Sequence, residues 1–71
     1  MARKTRGARV GATIRRLRDE HDWSAEELAK KAAVSARQIY RIEAGEIAGP
    51  RLDFLERVAR ALGVEISELM G

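Results

Sequence analysis

Residues 24–45 read SAEELAKKAAVSARQIYRIEAG, and this stretch contains two short helical patterns that are separated by a turn. Each pattern begins with a serine that has a glutamate or glutamine three residues later, at positions 24–27 and 35–38. In such a capping box the serine side chain accepts a hydrogen bond from the third backbone N–H of the helix, and the longer side chain accepts one from the serine N–H. We therefore expect two helices, with residues 33–34 in the turn between them.

The second of these helices has two distinct sides. A rotation of about 100° per residue places Ile39 and Ile42 together, which predicts that this side is buried. The opposite arc is formed by Ala36, Arg37, Tyr40, Arg41 and Ala44. Gly45 follows, and glycine often ends a helix because it adopts the left-handed conformation without strain. A compact helix pair with an outward basic face can place its second helix in the major groove of DNA.

The flanking sequence adds helices on both sides of this pair. Helix 1 is predicted from about residue 8 to 21, because Val10, Ile14 and Leu17 recur at helical spacing, although Gly11 weakens its start. Helix 4 is predicted by the apolar residues Leu52, Leu55, Val58, Ala59 and Leu62, with Gly63 as its stop. A short turn over residues 67–70 follows. The predicted fold is all-α, a compact five-helix domain in which helices 2 and 3 form a helix-turn-helix.

Length and composition exclude several classes of protein. A chain of 71 residues is one small domain, and the absence of cysteine excludes disulfides and thiolate metal sites. No apolar run approaches the roughly 20 residues that span a bilayer, and no signal peptide is evident, so we expect a cytoplasmic protein without a membrane partner. His21 falls at the end of helix 1, where it is expected to cap carbonyl groups. No nucleophile motif, phosphate loop or metal-ligand spacing is present, so we expect no enzyme, cofactor or metal site.

The net charge of +3 is unevenly distributed along the chain. Residues 1–9 contain no acidic residue, and the basic side chains there are Arg3, Lys4, Arg6 and Arg9. Residues 10–71 hold the other 10 of the 14 basic residues and all 11 acidic ones, a balance of −1. We therefore divide the chain into a flexible basic arm, residues 1–9, and a domain, residues 10–71. The arm is either a solvated leader or a segment that orders along phosphates or in a minor groove when DNA binds.

An ordered set of residues extends through most of the chain, from about Ile14 to Leu69. Its members are Arg18, S-x-E-E-L-A at 24–29, Val34 and Ser35, Ile39, Arg41, Ile42, Glu43, Gly45, Pro50, Leu55 and A-x-A-L-G-V at 59–64. No single piece is diagnostic, but the complete set at this spacing is specific. In this set the chain resembles the Cro/C1-type (lambda-repressor-like, XRE) helix-turn-helix family of bacterial and phage regulators.

The resemblance implies that the helix beginning after Ser35 faces DNA. Its base-reading residues would be Ala36, Arg37, Tyr40 and Arg41. Arg37 is the main candidate, because arginine can donate two hydrogen bonds to the O6 and N7 atoms of guanine. Arg41 would read a base or hold a phosphate, whereas Tyr40 would place its ring on a thymine methyl group or its hydroxyl on a phosphate. The alternative for the three long side chains is an ordinary solvated helix face.

The basic arm, which lies outside the resemblance, and residues within the resemblance both supply candidates for contacts to the DNA backbone. The resemblance also implies one internal ion pair. The backbone candidates are Arg3, Lys4, Arg6, Arg9, Arg15, Ala25, Ser35 and Arg51. For Ala25 the contact would come only from backbone N–H groups at the start of helix 2. Arg18 and Glu43 occupy positions that often form a partly buried ion pair in this family. The alternative is that both side chains are exposed to solvent.

Three features depart from the family pattern. Ala25 stands where many relatives carry a glutamine that contacts the DNA backbone, and Ala33 stands where the turn usually has glycine. An alanine held in the left-handed conformation costs about 1 kcal/mol. The loop at residues 46–49 lacks the basic residues that often bind phosphates there, and only Arg51 remains nearby. These losses weaken phosphate binding unless the basic arm and the arginines of helix 1 offset them.

Two functional classes are compatible with these residues. The first is a sequence-specific double-stranded DNA-binding transcriptional regulator, a bacterial or phage-encoded repressor that occupies its operator as a homodimer and is associated with the nucleoid. The second is a protein-interaction module on the same fold, an antitoxin or coactivator whose DNA binding is weak or non-specific. The apolar residues that would form a dimer interface, or would instead complete the core, are Leu52, Phe54, Ile66, Leu69 and Met70.

Overall fold

The computed structural model of the chain describes residues 5–71, so Arg3 and Lys4 of the predicted arm lie outside the described residues. Five α-helices follow one another along it: α1 (Arg6–Glu20), α2 (Ala25–Ala32), α3 (Ala36–Glu43), α4 (Leu52–Leu62) and α5 (Ile66–Met70). No strand occurs within residues 5–71, and the predicted all-α, five-helix fold is confirmed. In that same range no helix is both long enough and apolar enough to cross a membrane.

Both predicted capping boxes are present. In the first, the Ser24 hydroxyl accepts a hydrogen bond from the Glu27 N–H at 3.0 Å, and the Glu27 carboxylate accepts one from the Ser24 N–H at 3.1 Å. In the second, Ser35 and Gln38 make the equivalent hydrogen bonds at 3.1 and 3.0 Å. Each box satisfies two N–H groups that would otherwise lack a partner at the start of a helix. The local sequence therefore determines where α2 and α3 begin.

Helix α1 begins earlier than the predicted start near residue 8, and it includes residues 6–9 of the predicted flexible arm. The Thr5 hydroxyl caps this helix by accepting a hydrogen bond from the Ala8 N–H at 3.0 Å. Gly7 is buried, and its N–H donates to the carbonyl of Ala48 at 2.8 Å. The additional turn is therefore held by the loop that follows α3. Thr5 is a preferred N-cap residue and therefore a local signal for this start, whereas the contact between Gly7 and Ala48 leaves no local pattern in the sequence.

A single apolar core joins all five helices. On α3 its members are Ile39 and Ile42, which are fully buried as the helical period predicts. The complete set of buried apolar residues is Val10, Ile14, Leu17, Ala25, Leu28, Ala29, Ala32, Ile39, Ile42, Phe54, Leu55, Val58, Ala59, Leu62 and Leu69. Because α3 is attached to the core through one side only, its other side is left available to a partner.

The five apolar residues considered for a dimer interface divide into two groups. Phe54 and Leu69 belong to the core, and Ile66 packs against it while remaining partly exposed. Leu52 is 64% exposed and Met70 is 39% exposed. Only the last two side chains therefore present much apolar surface to solvent.

Four helix ends contain left-handed backbone, and the first of them is Asp22, with φ 58 after α1. Gly45 has φ +75 after α3 and Gly63 has φ +72 after α4, as predicted for these glycines. Ala33, the C-cap of α2, has φ 56 and ψ 43, so a residue with a Cβ atom adopts the conformation that glycine prefers. Hydrogen bonds hold this turn, since the Val34 N–H donates to the Ala29 carbonyl at 3.0 Å. The expected left-handed alanine is thus present.

Ala33→Gly should raise the free energy of unfolding by about 0.5–1 kcal/mol. Relief of the left-handed alanine is worth about 1–2 kcal/mol, and about 0.5–1 kcal/mol is lost because glycine is freer in the unfolded chain. Urea denaturation measures the difference. Ala12→Gly is the matched control: Ala12 is exposed within α1, so the same change there should lower the free energy of unfolding by about 1 kcal/mol. A loss at both positions would show that Ala33 is not strained.

His21 lies at the end of α1, and its ring contacts a second helix. Its backbone N–H donates to carbonyl groups in the last turn of α1. Its ring Nε2 atom lies 3.2 Å from the carbonyl oxygen of Leu62, the last residue of α4. The ring also stacks on Trp23, with the ring centroids 4.2 Å apart. These contacts agree with the predicted capping role and extend it from one helix to two.

Candidate nucleic-acid interface

The outward side of α3 carries three long side chains that do not enter the core. Arg37, Tyr40 and Arg41 are all exposed, and half of the Tyr40 surface is accessible to solvent. Ala36 is partly buried and packs against the core at the edge of this face. The face that the helical period predicts is therefore present. The three long side chains differ in the ion pairs and hydrogen bonds that they already make within the protein. These contacts decide which hydrogen-bond donors or acceptors each can offer a ligand.

Arg37 is the least engaged of the three. It lies in the first turn of α3 and forms no ion pair within residues 5–71. A guanidinium group has five N–H donors and no acceptor, and its planar geometry matches the O6 and N7 atoms of guanine. Arg37 can therefore reach a base edge without first breaking an ion pair with another side chain.

Arg41 lies one turn further along α3 and contacts an acidic residue of the following loop. Its Nε atom is 3.4 Å from Oε1 of Glu46, and about half of each side chain is exposed. An exposed ion pair contributes about 0–1 kcal/mol, so a phosphate or base can replace Glu46 at little cost. Arg41 also lines a groove of about 750 Å³ between α3 and the start of α4, together with Arg51 and Arg57. The fold thus brings two predicted DNA contacts, Arg41 and Arg51, to one groove.

Tyr40 makes a contact that no sequence pattern indicates. Its hydroxyl donates a hydrogen bond to the carboxylate of Glu26, in the first turn of α2. This hydrogen bond lowers the pKa of Glu26 and raises the pKa of Tyr40. Donation to a phosphate, one of the two roles considered for Tyr40, would require the hydroxyl to break its hydrogen bond to Glu26. Sequence reasoning missed Glu26 because 14 positions separate the two residues and no helical period connects them.

Arg18 and Glu43 form the predicted ion pair between α1 and the last turn of α3. The guanidinium donates from Nε to Oε2 and from Nη2 to Oε1, both at 2.9 Å. A third donor, Nη1, reaches the carbonyl of Trp23 at 2.7 Å. The side chains are only 15% and 9% exposed, and the hydrogen bond to Glu43 raises the pKa of Arg18 further. With three of its donors used inside the protein, Arg18 is a structural residue that holds the end of α3.

The basic candidates for the DNA backbone lie on two separate elements. Arg6, Arg9 and Arg15 are exposed along α1, and Arg51 is exposed at the N-cap of α4. Arg51 makes no side-chain hydrogen bond to its own helix start. These arginines therefore present charge on α1 and at the start of α4, outside the α2–α3 pair.

The starts of α2 and α3 offer backbone groups rather than side chains. The Ser35 hydroxyl is used in its capping box, and the Ala25 side chain is only 5% exposed. The Ala25 side chain is part of the core, so only its backbone N–H group can make the contact with DNA, and this is the group from which the contact was expected. Glu26 and Glu27 place two carboxylates on the same turn, which oppose a phosphate there. This helix start is therefore a poor phosphate site, in spite of its favourable dipole.

Comparison with known proteins gives a family match and three named relatives. The model of the helix-turn-helix family matches residues 14–69, which include α2, α3 and α4, the second half of α1 and most of α5. The chain is similar to the HTH-type transcriptional regulator SinR of Bacillus subtilis (strain 168), with 34% identity over 61 residues. That alignment covers 86% of this chain and 55% of SinR, and SinR of Bacillus licheniformis gives the same values.

A third relative is the HTH-type transcriptional regulator SlrR of Bacillus subtilis (strain 168), which is 35% identical over 60 residues. The alignment covers 84% of this chain and 40% of SlrR. The chain thus spans about half the length of the curated relatives it matches. All three are named as transcriptional regulators and none as an enzyme, in agreement with the expectation that the chain is not an enzyme.

Proposed function

The chain belongs to the Cro/C1-type helix-turn-helix family, and from this membership we propose that it is a sequence-specific double-stranded DNA-binding transcriptional regulator, a repressor that acts by occupying its operator. The observation that carries the proposal is the outward face of α3, where Arg37 is exposed and forms no ion pair within residues 5–71. Ile39 and Ile42 hold the opposite side of the helix in the core. A helix that is fixed in this way can enter a major groove without rearrangement.

Contacts to phosphates would position this helix. Arg6, Arg9 and Arg15 on α1 would contact one part of the DNA backbone, and Arg51 at α4 another. Arg3 and Lys4 would extend the α1 contacts along the phosphates or into the adjacent minor groove. This arrangement compensates for the start of α2, where Ala25 is buried and two carboxylates oppose a phosphate. Such a regulator would act in the cytoplasm of a bacterium, associated with the nucleoid, and would be bacterial or phage-encoded.

A homodimer would supply the affinity that one module lacks. A single recognition helix reaches only a few base pairs, and dimers of such modules read two half-sites about 34 Å apart. Within residues 5–71, Leu52 and Met70 are the large aliphatic side chains that lie exposed and could contact a second copy. Because two side chains bury little area, the dimer would be weak in free solution and would be completed on DNA.

The acidic groups beside the recognition helix favour one alternative function, a protein-interaction module. Glu26, Glu27 and Glu46 all lie on or next to the α2–α3 pair, and each carboxylate opposes a phosphate. On a protein-interaction module, an antitoxin or coactivator, the same groups would be part of the contact with a protein partner. Such a module would bind DNA weakly, with a steep salt dependence and without sequence preference. Selection of sites from random duplex DNA near physiological salt separates the two functions, since only the regulator would enrich a motif.

Arg37→Ala should weaken binding to the selected operator by about 1–3 kcal/mol and relax the preference at one base pair of each half-site. The reason is that alanine removes both donors to guanine and leaves the phosphate contacts in place. Fluorescence anisotropy on the operator and on single-base variants measures this effect. Arg16→Ala is the matched control, because Arg16 is exposed on α1 and pairs with Glu20 at 2.9 Å. An equal loss on all DNA sequences would contradict base reading by Arg37.

A further inference from the structure

Tyr40 and Glu26 connect α3 to α2 on the side of the molecule that carries Arg37. The Tyr40 hydroxyl donates a hydrogen bond to the Glu26 carboxylate, and both residues are exposed. Tyr40 follows Arg37 by three positions on α3, so the two side chains are neighbours on one face of the helix. The hydrogen bond therefore holds a carboxylate on the face that we propose reads DNA.

This hydrogen bond also determines which protons the pair carries. Donation from Tyr40 lowers the pKa of Glu26, and the same hydrogen bond raises the pKa of Tyr40. The carboxyl group is therefore charged and the phenol is protonated near neutral pH. A phenol has one O–H group, and here that group already donates its hydrogen bond to Glu26. Toward a ligand the pair offers only acceptors, which are the carboxylate oxygens and the remaining lone pair of the phenol.

A surface that consists only of acceptors suits an amino group on a base edge and does not suit a phosphate. Phosphate oxygens accept hydrogen bonds and carry the same sign of charge as a carboxylate. In the major groove, cytosine presents the N4 amino donor, whereas adenine presents its N6 amino group beside the N7 acceptor. The N7 lone pair would face a carboxylate unfavourably. Cytosine is therefore the base that this pair fits best.

We propose that Glu26, positioned by Tyr40, determines sequence specificity by accepting a hydrogen bond from the N4 amino group of a cytosine in the major groove. This inference rests on the proposed function, since it requires α3 to lie in the groove. Arg37 and Glu26 then have complementary tasks, because one donates to guanine and the other accepts from cytosine. Glu26 touches the base, whereas Tyr40 acts through Glu26 and is a positioning residue.

Glu27 provides the control for the charge of Glu26. It lies one residue further along the same turn of α2, and its carboxylate is engaged with the Ser24 N–H at 3.1 Å. Glutamine can replace glutamate in a capping box, so Glu27→Gln removes one negative charge and keeps the helix start. Any effect that Glu26→Ala shares with Glu27→Gln comes from the loss of a negative charge near the DNA phosphates and not from the loss of a base contact.

The experiment selects binding sites from random duplex DNA for the wild-type chain, Glu26→Ala, Glu27→Gln and Tyr40→Phe. It then measures Kd on the selected duplex and on duplexes in which each enriched cytosine is replaced by thymine. The wild type and Glu27→Gln should prefer cytosine at one position of each half-site by about tenfold. Glu26→Ala should lose this preference while its affinity for random DNA rises, because a negative charge is removed. Tyr40→Phe should reduce the preference for cytosine and leave the preference for guanine at the Arg37 position unchanged.

The possible results separate this inference from the proposed function. If Glu26→Ala keeps the cytosine preference of the wild type and merely binds all DNA more tightly, as Glu27→Gln does, the base-reading role of Glu26 is overturned. An unchanged cytosine preference in Tyr40→Phe would overturn the positioning role of Tyr40. If the wild type itself enriches no motif, the proposed function fails, and the inference fails with it.

Discussion

Arg18→Ala should lower the free energy of unfolding by about 3 kcal/mol, a large part of the stability of a domain of this size. The substitution removes both hydrogen bonds to Glu43 and leaves that carboxylate 9% exposed beside the end of α3 without its partner. The carbonyl of Trp23 also loses a donor at 2.7 Å. Urea denaturation, with linear extrapolation to water, measures the loss.

Two controls determine what this loss means. The double variant Arg18→Met, Glu43→Leu should recover much of the stability, because the main penalty comes from the stranded charge and not from the missing attraction. Arg16→Ala breaks the exposed pair with Glu20, whose side chains are 62% and 59% exposed, and should change the stability by less than about 1 kcal/mol. Similar small losses for Arg18→Ala and Arg16→Ala would mean that the Arg18–Glu43 pair contributes no more than a surface pair.

Gly11→Ala should lower the free energy of unfolding by about 2–3 kcal/mol, although alanine is the better helix former. A Cβ atom at Gly11 would lie 1.8 Å from the carbonyl oxygen of Ile42 and 2.6 Å from its carbonyl carbon. Both atoms belong to the backbone of α3, so no side-chain rotation relieves the overlap and α1 has to move away from α3. Overpacking typically costs about 1–3 kcal/mol and occasionally more, and an overlap with backbone atoms at 1.8 Å belongs to the costlier cases. A net loss of about 2–3 kcal/mol therefore remains after the roughly 1 kcal/mol gained in helix propensity.

Gly49→Ala is the matched control for Gly11→Ala. No atom lies within 4 Å of a Cβ built at Gly49, so the same substitution should change the stability by less than about 0.5 kcal/mol. The sign of the effect at Gly11 is the informative result. A gain in stability would mean that Gly11 merely weakens the start of α1, as its helix propensity alone suggests, and that the close approach of α1 and α3 is not required.

The outline of the fold could be predicted because its signals are local. Each capping box joins residues three positions apart, and the buried side of α3 follows from a period that repeats within one turn. The left-handed conformation of Ala33 was expected from the resemblance, since relatives usually have glycine at that position of the turn. At the start of α1 the N-cap Thr5 is a local signal, but the hydrogen bond between Gly7 and Ala48 that holds the first turn could not be predicted from it.

The candidate site was predicted in part. The exposed face with Arg37, Tyr40 and Arg41 follows from the helical period, and the resemblance supplied the Arg18–Glu43 pair. The link between Tyr40 and Glu26 could not be predicted, because the local sequence pattern does not specify how α2 crosses α3. The burial of Ala25, a candidate for a DNA backbone contact, could likewise not be predicted from the sequence. It follows from the way the start of α2 packs into the shared core.

The amino-acid sequence alone determined the number of helices, their capped starts and the side of α3 that faces outward, since hydrogen bonding and hydrophobic periodicity act over one or two turns. Only the tertiary structure decided which residues meet. It placed Gly11 against the backbone of α3, where a Cβ atom would overlap with Ile42. The glycine that lowers the helix propensity of α1 is therefore required for the two helices to pack. The tertiary structure also brought the Tyr40 hydroxyl within hydrogen-bond distance of the Glu26 carboxylate, which changes what the recognition face can offer to DNA. Both outcomes depend on close approach between separate helices, and that distance is set by how all five helices pack around one core.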